Sequence, residues 1–439
     1  MRWGVAGLGA AMMVLPMLAQ QAAGDASGSA GAPVVTLKDA IARAEANEPT
    51  FAAAIADSKV AGQDRWIART GLLPNAVYHN QAIYTQSGGA AGAGNPKFIA
   101  GNGVHEYMSQ AVVNETAGLA GVADVRRADA AAARAKAELE VARRGLVAAV
   151  TGLYFGALAA DEKLAIAEQA HTEAAGFAGL TGKREEAREA AHADVVKAQL
   201  AEQQRERELR EAKLGAEKAH LELGVLLFAD PRSAYTLAGA EAASELPLKE
   251  AVAAEAARTN PELKSALAGL QVSQADVLGA RAAYLPELGL NFTYGIDAPQ
   301  FAVNGADKLS NLGYSASATL DLPVWDWLAT RSRVKQSVIR RDAAKVALTA
   351  AQRRVIAQLD ETYSEAAAAR DELASLDRSV ETAAESLRLT KMRYAEGEGT
   401  VFEVVDAENS YVDAENARQD GRVRYQVARA ELETLEGSL

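Results

Sequence analysis

The sequence has no cysteine among its 439 residues, which excludes disulfide bonds, thiolate metal sites and lipid attachment through an N-terminal cysteine of this chain. Proline and aromatic residues are also scarce, with 11 prolines and 5% Phe, Trp and Tyr against 49% hydrophobic residues. Few prolines and abundant alanine favour long helices over folds made only of short strands. We therefore expect a mainly helical protein, long enough for a large core or for two domains.

Features of nucleic-acid binding and of catalysis are also missing. The formal charge of −12 argues against a phosphate-binding surface, because nucleic-acid binding needs clustered Lys and Arg. None of the histidines has a metal-ligand spacing along a helix face, and no serine lies in a nucleophile-elbow pattern. The histidines are His79, His105, His171, His192 and His220. We expect no nucleic-acid partner, no metal, no other cofactor and no enzymatic activity, and an enzyme is kept as one alternative class.

The N-terminus has the layout of a secretory signal peptide. One basic residue precedes an uncharged run from Trp3 to Ala19, and small residues follow around Ala23. This predicts a signal peptide over residues 1–24 with cleavage near 23–25. The run is shorter than the roughly 20 residues that span a bilayer, which disfavours the alternative of an uncleaved anchor. No later segment has 18 successive apolar residues, so we expect no helix to cross a membrane again.

An internal repeat is the most informative feature. The segment LKDAIARAEANEPTFAAAI at 37–55 resembles LKEAVAAEAARTNPELKSAL at 248–267. The similarity predicts two structural repeats, residues 25–247 and 248–439.

Each copy carries two prolines at one spacing. Pro49 and Pro74 are 25 residues apart, as are Pro261 and Pro286. The second proline of each pair follows a leucine and ends a helical pattern. Since proline lacks an N–H and disfavours helix in the residue before it, Pro74 and Pro286 are expected to be corners where a helix gives way to a strand.

After each corner the hydrophobic period changes from helical to two. In PELGLNFTYGI and LGYSASATLDL, apolar residues alternate with small or polar ones, which predicts strand pairs within 75–113 and 287–322. Four strands of about ten residues would suit a bilayer, but an open sheet leaves unpaired edges in lipid. Several identical chains could close such a sheet into a barrel. The alternative is two hairpins that cover a soluble helical core.

The remainder of each copy is predicted as helix, over roughly 117–187 and 329–396, with breaks near 185–194 and 394–403. Shorter helices then run to about residues 228 and 436. A helix of about 68 residues is about 100 Å long and must lie along other helices, as in a coiled coil.

The second break is the stretch YAEGEGTVFEVVDAE at 394–408. Gly397 and Gly399 interrupt the helix, because glycine is favoured at helix ends. Glu403 and Asp406 stand one turn apart just beyond the break, where the helix dipole favours carboxylates. The simplest interpretation of these two residues is a capped, solvated helix start.

Taken together, the paired openings, the paired Leu-Pro corners, the segment LDLPVWDW and YAEGEGTVFEVVDAE resemble the outer-membrane efflux protein family of TolC-like channels, over nearly the whole mature chain. The resemblance implies a mainly helical protein with a membrane β-barrel portion. Four strands from each of three protomers would form a shared 12-stranded barrel. The long coiled-coil helices would continue it as a periplasmic α-barrel, giving a trimeric tube.

The same resemblance implies a function. The protein would be the outer-membrane exit duct of a tripartite efflux or type I secretion system of a Gram-negative bacterium, extending into the periplasm. It would passively conduct substrates from an inner-membrane pump and a periplasmic adaptor through a gated pore. The implied partners are a homotrimer, the adaptor, the pump and outer-membrane lipid. The alternative is a periplasmic coiled-coil scaffold or adhesin without a pore, which would have no use for the alternating strands.

The resemblance also implies roles for residues at the breaks. Glu403 and Asp406 would ring the closed pore, and Tyr394 and Asp194 would form a hydrogen bond that holds the gate. The expected contacts of the tip with the adaptor are Gly397, Gly399, Thr400, Val401 and Arg188.

Two positions depart from the family pattern. Arg188 occupies the place of a tip glycine in the first copy, so a tighter helical turn is expected there. Gly399 stands where a basic residue is frequent, so a gate bond from that side chain is missing. The transported substrate is left open between drugs, metal ions and proteins.

Overall fold

The computed structural model describes residues 33–84, 105–239, 246–305 and 308–436. The expected signal peptide and the first predicted loop, 87–103, lie outside the described residues.

The described chain repeats one order of seven elements twice. The first set is β1 (Val34–Val35), α1 (Leu37–Asn47), α2 (Pro49–Thr70), β2 (Asn75–Tyr84), β3 (His105–Ala117), α3 (Leu119–Glu186) and α4 (His192–Leu227). The second set is β4 (Thr236–Leu237), α5 (Lys249–Thr259), α6 (Pro261–Ala282), β5 (Glu287–Ala298), β6 (Leu312–Asp321), α7 (Ala329–Ala395) and α8 (Val401–Glu436). The predicted long helices are therefore present, while a domain boundary at 247/248 stays a prediction.

The corners lie where the prolines predict them. Pro49 and Pro261 each begin a 22-residue helix, and the side chains of Glu48 and Asn260 cap these helices by accepting a backbone N–H bond. Pro74 and Pro286 directly precede strands β2 and β5. Proline thus marks both the start of each helix and the entry into the sheet that follows it.

The four long strands form one antiparallel sheet in the order β2-β3-β5-β6. The two hairpins join through β3 and β5, with Ala111 opposite Tyr294, which in turn faces Tyr314. The strands make extensive contacts with one another and with no helix. Large side chains such as Phe292 and Leu320 are exposed. The alternative of hairpins covering a soluble helical core is therefore wrong.

The long helices form a wall that is one helix thick. Near the sheet, the helices follow one another in the order α2, α3, α6 and α7. Farther from the sheet, the order is α4, α3, α8 and α7. Buried residues recur every seventh position along α3: Ala123, Ala130, Ala137, Arg144 and Thr151. This heptad period is that of a coiled coil, and the small alanines allow close approach of the backbones. Helices α2 and α4 form one side of the wall, and α7 forms the opposite side.

A second, smaller layer covers the middle of the wall. Strands β1 and β4 pair in parallel beside α1, and their largest buried side chains pack with Leu223 and Leu227 of α4. The Tyr154 hydroxyl of α3 donates to the carbonyl oxygens of Val35 and Ala238 at 3.1 and 2.8 Å. The main hydrophobic core therefore lies at this level.

Within the described residues, α3 is the helix that passes as a membrane span by length and apolar composition. Its alanines pack against α2, α4, α6 and α8, which accounts for the apolar composition without a bilayer.

Candidate functional site: the tip formed by the two helix breaks

The two breaks meet at the end of the wall far from the sheet. Here the ends of α3 and α7 pack against the starts of α4 and α8. A cluster of buried side chains joins the four helices: Phe177, Ala178, Ala198, Tyr394, Val401 and Val404. We call residues 181–198 and 393–406 the tip.

Both breaks use the same left-handed turn. Gly397 has φ 82° and Arg188 has φ 61°. The N–H of the next residue, Glu398 or Glu189, donates to the carbonyl of Arg393 or Arg184 at 2.9 and 2.7 Å. This is the Schellman arrangement that closes helix C-termini. The expected tighter helical turn at Arg188 is thus wrong, because the backbone bonds impose the left-handed conformation on a non-glycine residue at a cost of about 1–2 kcal/mol.

The two glycines of the second break are required for different structural reasons. Gly397 has open space around it and is required by its positive φ. Gly399 has an ordinary φ, but a Cβ there would lie 2.9 Å from the backbone nitrogen of Tyr394. Gly399 therefore permits a close approach between the turn and the last residues of α7.

Glu403 takes part in a capping box at the start of α8. The Thr400 N–H donates to Glu403 Oε2 at 3.1 Å, and the Glu403 N–H donates to Thr400 Oγ1 at 3.2 Å. Arg393 Nη1 lies 3.8 Å from the same carboxylate, and Asp406 is exposed one turn farther along. The helix-capping role of Glu403 is thus present in the chain. A role of either carboxylate in a gate stays a prediction.

Tyr394 is held by α3. Its ring packs edge-on against Phe177 at 5.0 Å and lies under the Arg184 guanidinium, whose Cζ is 4.8 Å from the ring centroid. Arg184 also donates to the carbonyl oxygens of Tyr394 and Ala395, both at 2.9 Å, and so caps the end of α7. The Tyr394 hydroxyl lies 3.3 Å from Thr181 Oγ1.

This geometry corrects the expected hydrogen bond between Tyr394 and Asp194. Within the described chain the hydroxyl faces α3, while Asp194 lies half-exposed in the first turn of α4. Val401 was expected to contact an adaptor, but its side chain is buried against the other three helices and is not available. Arg188, Gly397 and Thr400 are exposed, and their contact with an adaptor stays a prediction.

A group of charged side chains from three helices lies just above the tip, and the sequence reasoning missed it. Lys391 Nζ of α7 lies 2.6 Å from Glu173 Oε2 of α3 and 3.2 Å from Glu408 Oε1 of α8. Burial raises the pKa of Glu408, which is only 7% exposed. Burial also opposes ionisation of Glu173, but the hydrogen bonds from Lys391 and Gln169 outweigh it and lower the pKa of that carboxyl. We call Glu173, Lys391 and Glu408 the triad.

Further polar residues, some of them buried, adjoin the triad. Arg205 of α4 donates to Glu208 and to Asn409 of α8, each at 2.6 Å, and Tyr411 donates to Glu415 at 3.1 Å. Arg205, Tyr411 and Glu415 line a cleft of about 200 Å³ between α3, α4, α7 and α8, together with Glu173 and Glu408 of the triad. A signal for this cluster exists in the sequence, because Glu408 and Glu415 are seven residues apart in the buried stripe of α8. Among the described residues, no group of His, Cys, Asp and Glu is arranged to hold a metal.

Comparison with known proteins agrees with this architecture. Residues 252–438 match the family model of the outer membrane efflux protein. Outer membrane protein OprJ of Pseudomonas aeruginosa is 26% identical over 172 residues, which are 39% of this chain and 36% of OprJ. The proteases secretion protein PrtF of Dickeya chrysanthemi is 28% identical over 190 residues, which are 42% of this chain and 40% of PrtF. The chain thus matches less than half the length of these two relatives.

The structural agreement is more extensive. The Campylobacter jejuni CmeC outer membrane channel superposes with a TM-score of 0.77 over 91% of this chain and 85% of that chain, at 16% identity. The helical wall and the sheet therefore have the fold of this outer membrane channel. The resemblance to the outer-membrane efflux protein family is confirmed, by the family model in the second repeat and by the fold throughout the described chain.

Proposed function

We propose that this protein is the outer-membrane exit duct of an efflux or type I secretion system, in which a homotrimer conducts substrates from an inner-membrane pump and a periplasmic adaptor to the exterior. The observation that carries the proposal is the four-stranded sheet. It presents large apolar side chains to the surroundings, contacts no helix extensively and leaves β2 and β6 as edges within this chain.

Such a sheet requires closure in a bilayer. Each unpaired backbone group in lipid costs several kcal/mol, so β2 of one chain must pair with β6 of another. Head-to-tail pairing of identical chains closes into a ring. Three copies give 12 strands, an even number within the range of outer-membrane barrels.

The helices have matching free sides. The side of α7 turned away from α6 carries exposed apolar residues, among them Ile339 and Val346. The opposite side of the wall carries others on α2 and α4: Val60, Ile67, Leu200 and Leu214. Joining α7 of one protomer to α2 and α4 of the next buries these side chains and uses the same head-to-tail operation as the sheet. The sheet and the helices thus support one ring.

In this assembly the barrel lies in the outer membrane of a Gram-negative bacterium, and the helices extend about 100 Å into the periplasm. The tip is then the periplasmic end, where the adaptor docks on the exposed turns at Arg188 and Gly397. Opening separates α7 and α8 from α3 and α4, which requires release of Arg184 from the end of α7 and of Lys391 from Glu173. Glu403 and Asp406 line the gate, six carboxylates per trimer, and attract cations.

The test combines mass and conductance. Light scattering of the detergent-solubilised protein, corrected for bound detergent, is expected to give three chains, and planar bilayers are expected to show discrete channels. A monodisperse, detergent-free monomer contradicts the proposal. Release of the protein from membranes by carbonate would indicate the scaffold or adhesin alternative instead.

A further inference from the structure

An arginine-lined groove lies on the wall close to the sheet. It is an open cleft of about 600 Å³ over α6, between α3 and α7. Arg126 of α3, Arg281 of α6 and Arg341 of α7 line it, and Gln271 and Gln274 of α6 also belong to its lining. Three helices therefore bring three guanidinium groups to one concave surface. We call it the arginine groove.

The positive charge of the groove is largely uncompensated. Asp129, which also lines it, already pairs with Arg65 and Arg69 of α2 at 2.6 and 2.9 Å. Arg341 pairs with its neighbour Asp342 at 2.8 Å. The side chains of Arg126 and Arg281 form no ion pair or hydrogen bond with any residue that the structure describes. Two arginines are thus available for an anion.

The arginine groove lies close to the end of the wall that joins the sheet. Arg281 is five residues before the corner Pro286, one helical turn below the exposed Tyr284. Trp325 and Trp327 are exposed on the connection from β6 to α7, and Trp66 is exposed near the end of α2. Tyrosine and tryptophan at the rim of a barrel mark the membrane–water interface. The arginines therefore lie at the level expected for lipid headgroups.

The groove opens on the side of the wall that carries the second layer. Along the heptad-wound α3, Arg126 lies 28 residues before Tyr154, and Asp129 lies 14 residues before Arg143. Tyr154 holds β1, and Arg143 pairs with Glu45 of α1 at 2.7 Å. Residues at multiples of seven share a helix face. In a duct with an open lumen this layer must be outside, so the groove faces outward, and its place over α6 keeps it away from both sides of the protomer.

The charge of the whole chain conceals this site. Residues 329–354, the part of α7 nearest the sheet, contain eight Lys and Arg and one Asp, whereas α8 contains nine Asp and Glu and four Arg. The net charge of −12 therefore does not describe this level of the wall, because opposite charges are segregated along the helices.

We propose that the arginine groove binds the headgroup phosphate of an anionic phospholipid in the periplasmic leaflet of the outer membrane; this rests on the proposed function, which places the sheet in that membrane. Guanidinium groups bind phosphate oxygens through paired N–H donors, and Arg126 and Arg281 supply two such groups. A zwitterionic lipid carries its own cation beside the phosphate and gains less from this surface.

The tryptophans provide a local probe. Of the four in the chain, Trp3 lies in the expected signal peptide and the other three lie at the level of the groove. Wild-type protein in neutral detergent micelles is titrated with brominated phosphatidylglycerol or brominated phosphatidylcholine, and quenching of tryptophan fluorescence is followed. We expect half-maximal quenching at a lower mole fraction of the anionic lipid than of the zwitterionic lipid. The ratio of the two mole fractions is expected to be about fivefold for each available arginine, because a basic side chain near an anionic surface contributes about 1 kcal/mol. Arg126→Gln with Arg281→Gln is expected to abolish this preference.

The matched control is Arg333→Gln with Arg340→Gln. It removes the same charge from exposed positions of α7 at a similar height but outside the groove, and it is expected to keep the preference. The lipid site is overturned if both lipids quench the wild type equally. It is also overturned if the two double variants lose the preference for anionic lipid to the same extent. Displacement by inorganic phosphate, but not by chloride of equal ionic strength, would assign the groove to free phosphate and overturn it as well. Absence of quenching by either lipid would instead count against the membrane location itself.

Discussion

The triad above the tip provides the most informative perturbation. Lys391→Met removes the cation that joins α7 to Glu173 of α3 and Glu408 of α8, and it leaves two carboxylates facing an apolar side chain. Breaking a buried ion pair by removing one partner costs about 3–5 kcal/mol. Since Lys391 is 38% and Glu173 35% exposed, solvent screening reduces the expected loss to about 1–3 kcal/mol per protomer at pH 7.5.

The loss is expected to depend on pH in a defined direction. Burial already holds the pKa of Glu408 above its value of 4.5, and removal of the Lys391 charge raises it further. A carboxyl whose pKa is higher in the folded state contributes stability that is present at low pH and lost as the pH rises through the folded pKa. In the wild type, the lowered pKa of Glu173 opposes this trend. The variant is therefore expected to approach wild-type stability as the pH is lowered, since Glu408 becomes protonated.

The assay is thermal unfolding of the detergent-solubilised protein from pH 5 to 7.5, with bilayer conductance recorded in parallel. Lys391→Arg is the conservative control and is expected to unfold like the wild type. Adding Glu408→Gln to Lys391→Met removes the uncompensated charge and is expected to recover part of the loss. Because the triad ties α3 to α7 and α8, more frequent open events are also expected in Lys391→Met. Wild-type stability of this variant at pH 7.5 would refute the reasoning.

Three further predictions concern the tip and the corners. Glu403→Gln with Asp406→Asn is expected to reduce cation selectivity and block by multivalent cations in planar bilayers while the fold is kept, because Gln retains the capping box; unchanged selectivity would place both side chains away from the pore. Gly397→Ala is expected to lower the stability of the tip in thermal unfolding by about 1 kcal/mol, because Gly397 has a positive φ. Gly399→Ala is expected to lower it by more, because the new Cβ would collide with the backbone of Tyr394. Arg188→Ala serves as the control, since it exchanges one non-glycine residue for another at positive φ. Pro74→Ala with Pro286→Ala is expected to lower the yield of assembled trimer on a native gel, and an unchanged yield would show that the corners are determined elsewhere.

The elements of the fold were largely predictable because their determinants are local. The helix predicted over 117–187 is Leu119–Glu186, and that predicted over 329–396 is Ala329–Ala395. Proline at a corner and glycine in a left-handed turn act through the backbone of one or two residues, and the change from a helical to a two-residue period needs only a short window. The order of the strands was less directly predictable from the sequence, since only the internal repeat suggested that the two hairpins lie in one sheet.

The contacts of the candidate site were not predictable in the same way. Thr181 and Tyr394 are 213 residues apart, and Glu173 and Lys391 are 218 apart, so neither pair appears in any local pattern. The family pattern directed attention from Tyr394 to Asp194, whereas the packing of α3 against the end of α7 gives the hydroxyl to Thr181. Net charge is uninformative for a related reason, because it averages over helices that are basic at one end of the wall and acidic at the other.

That segregation of charge has a physical consequence along the wall. Near the sheet, the basic start of α7 and the arginine groove face the level at which anionic lipid is available, and arginine on a solvated helix is stabilised by a nearby phosphate at little desolvation cost. At the tip, the acidic start of α8 lies at the end that opens in the proposed function, and closely spaced carboxylates repel one another unless cations or ion pairs such as the triad compensate them. The proposed ring of chains would therefore carry charge that anchors it at one end and charge that favours separation of helices at the other. Lys391, placed between two carboxylates from different helices, is the residue whose removal should shift that balance most directly towards opening.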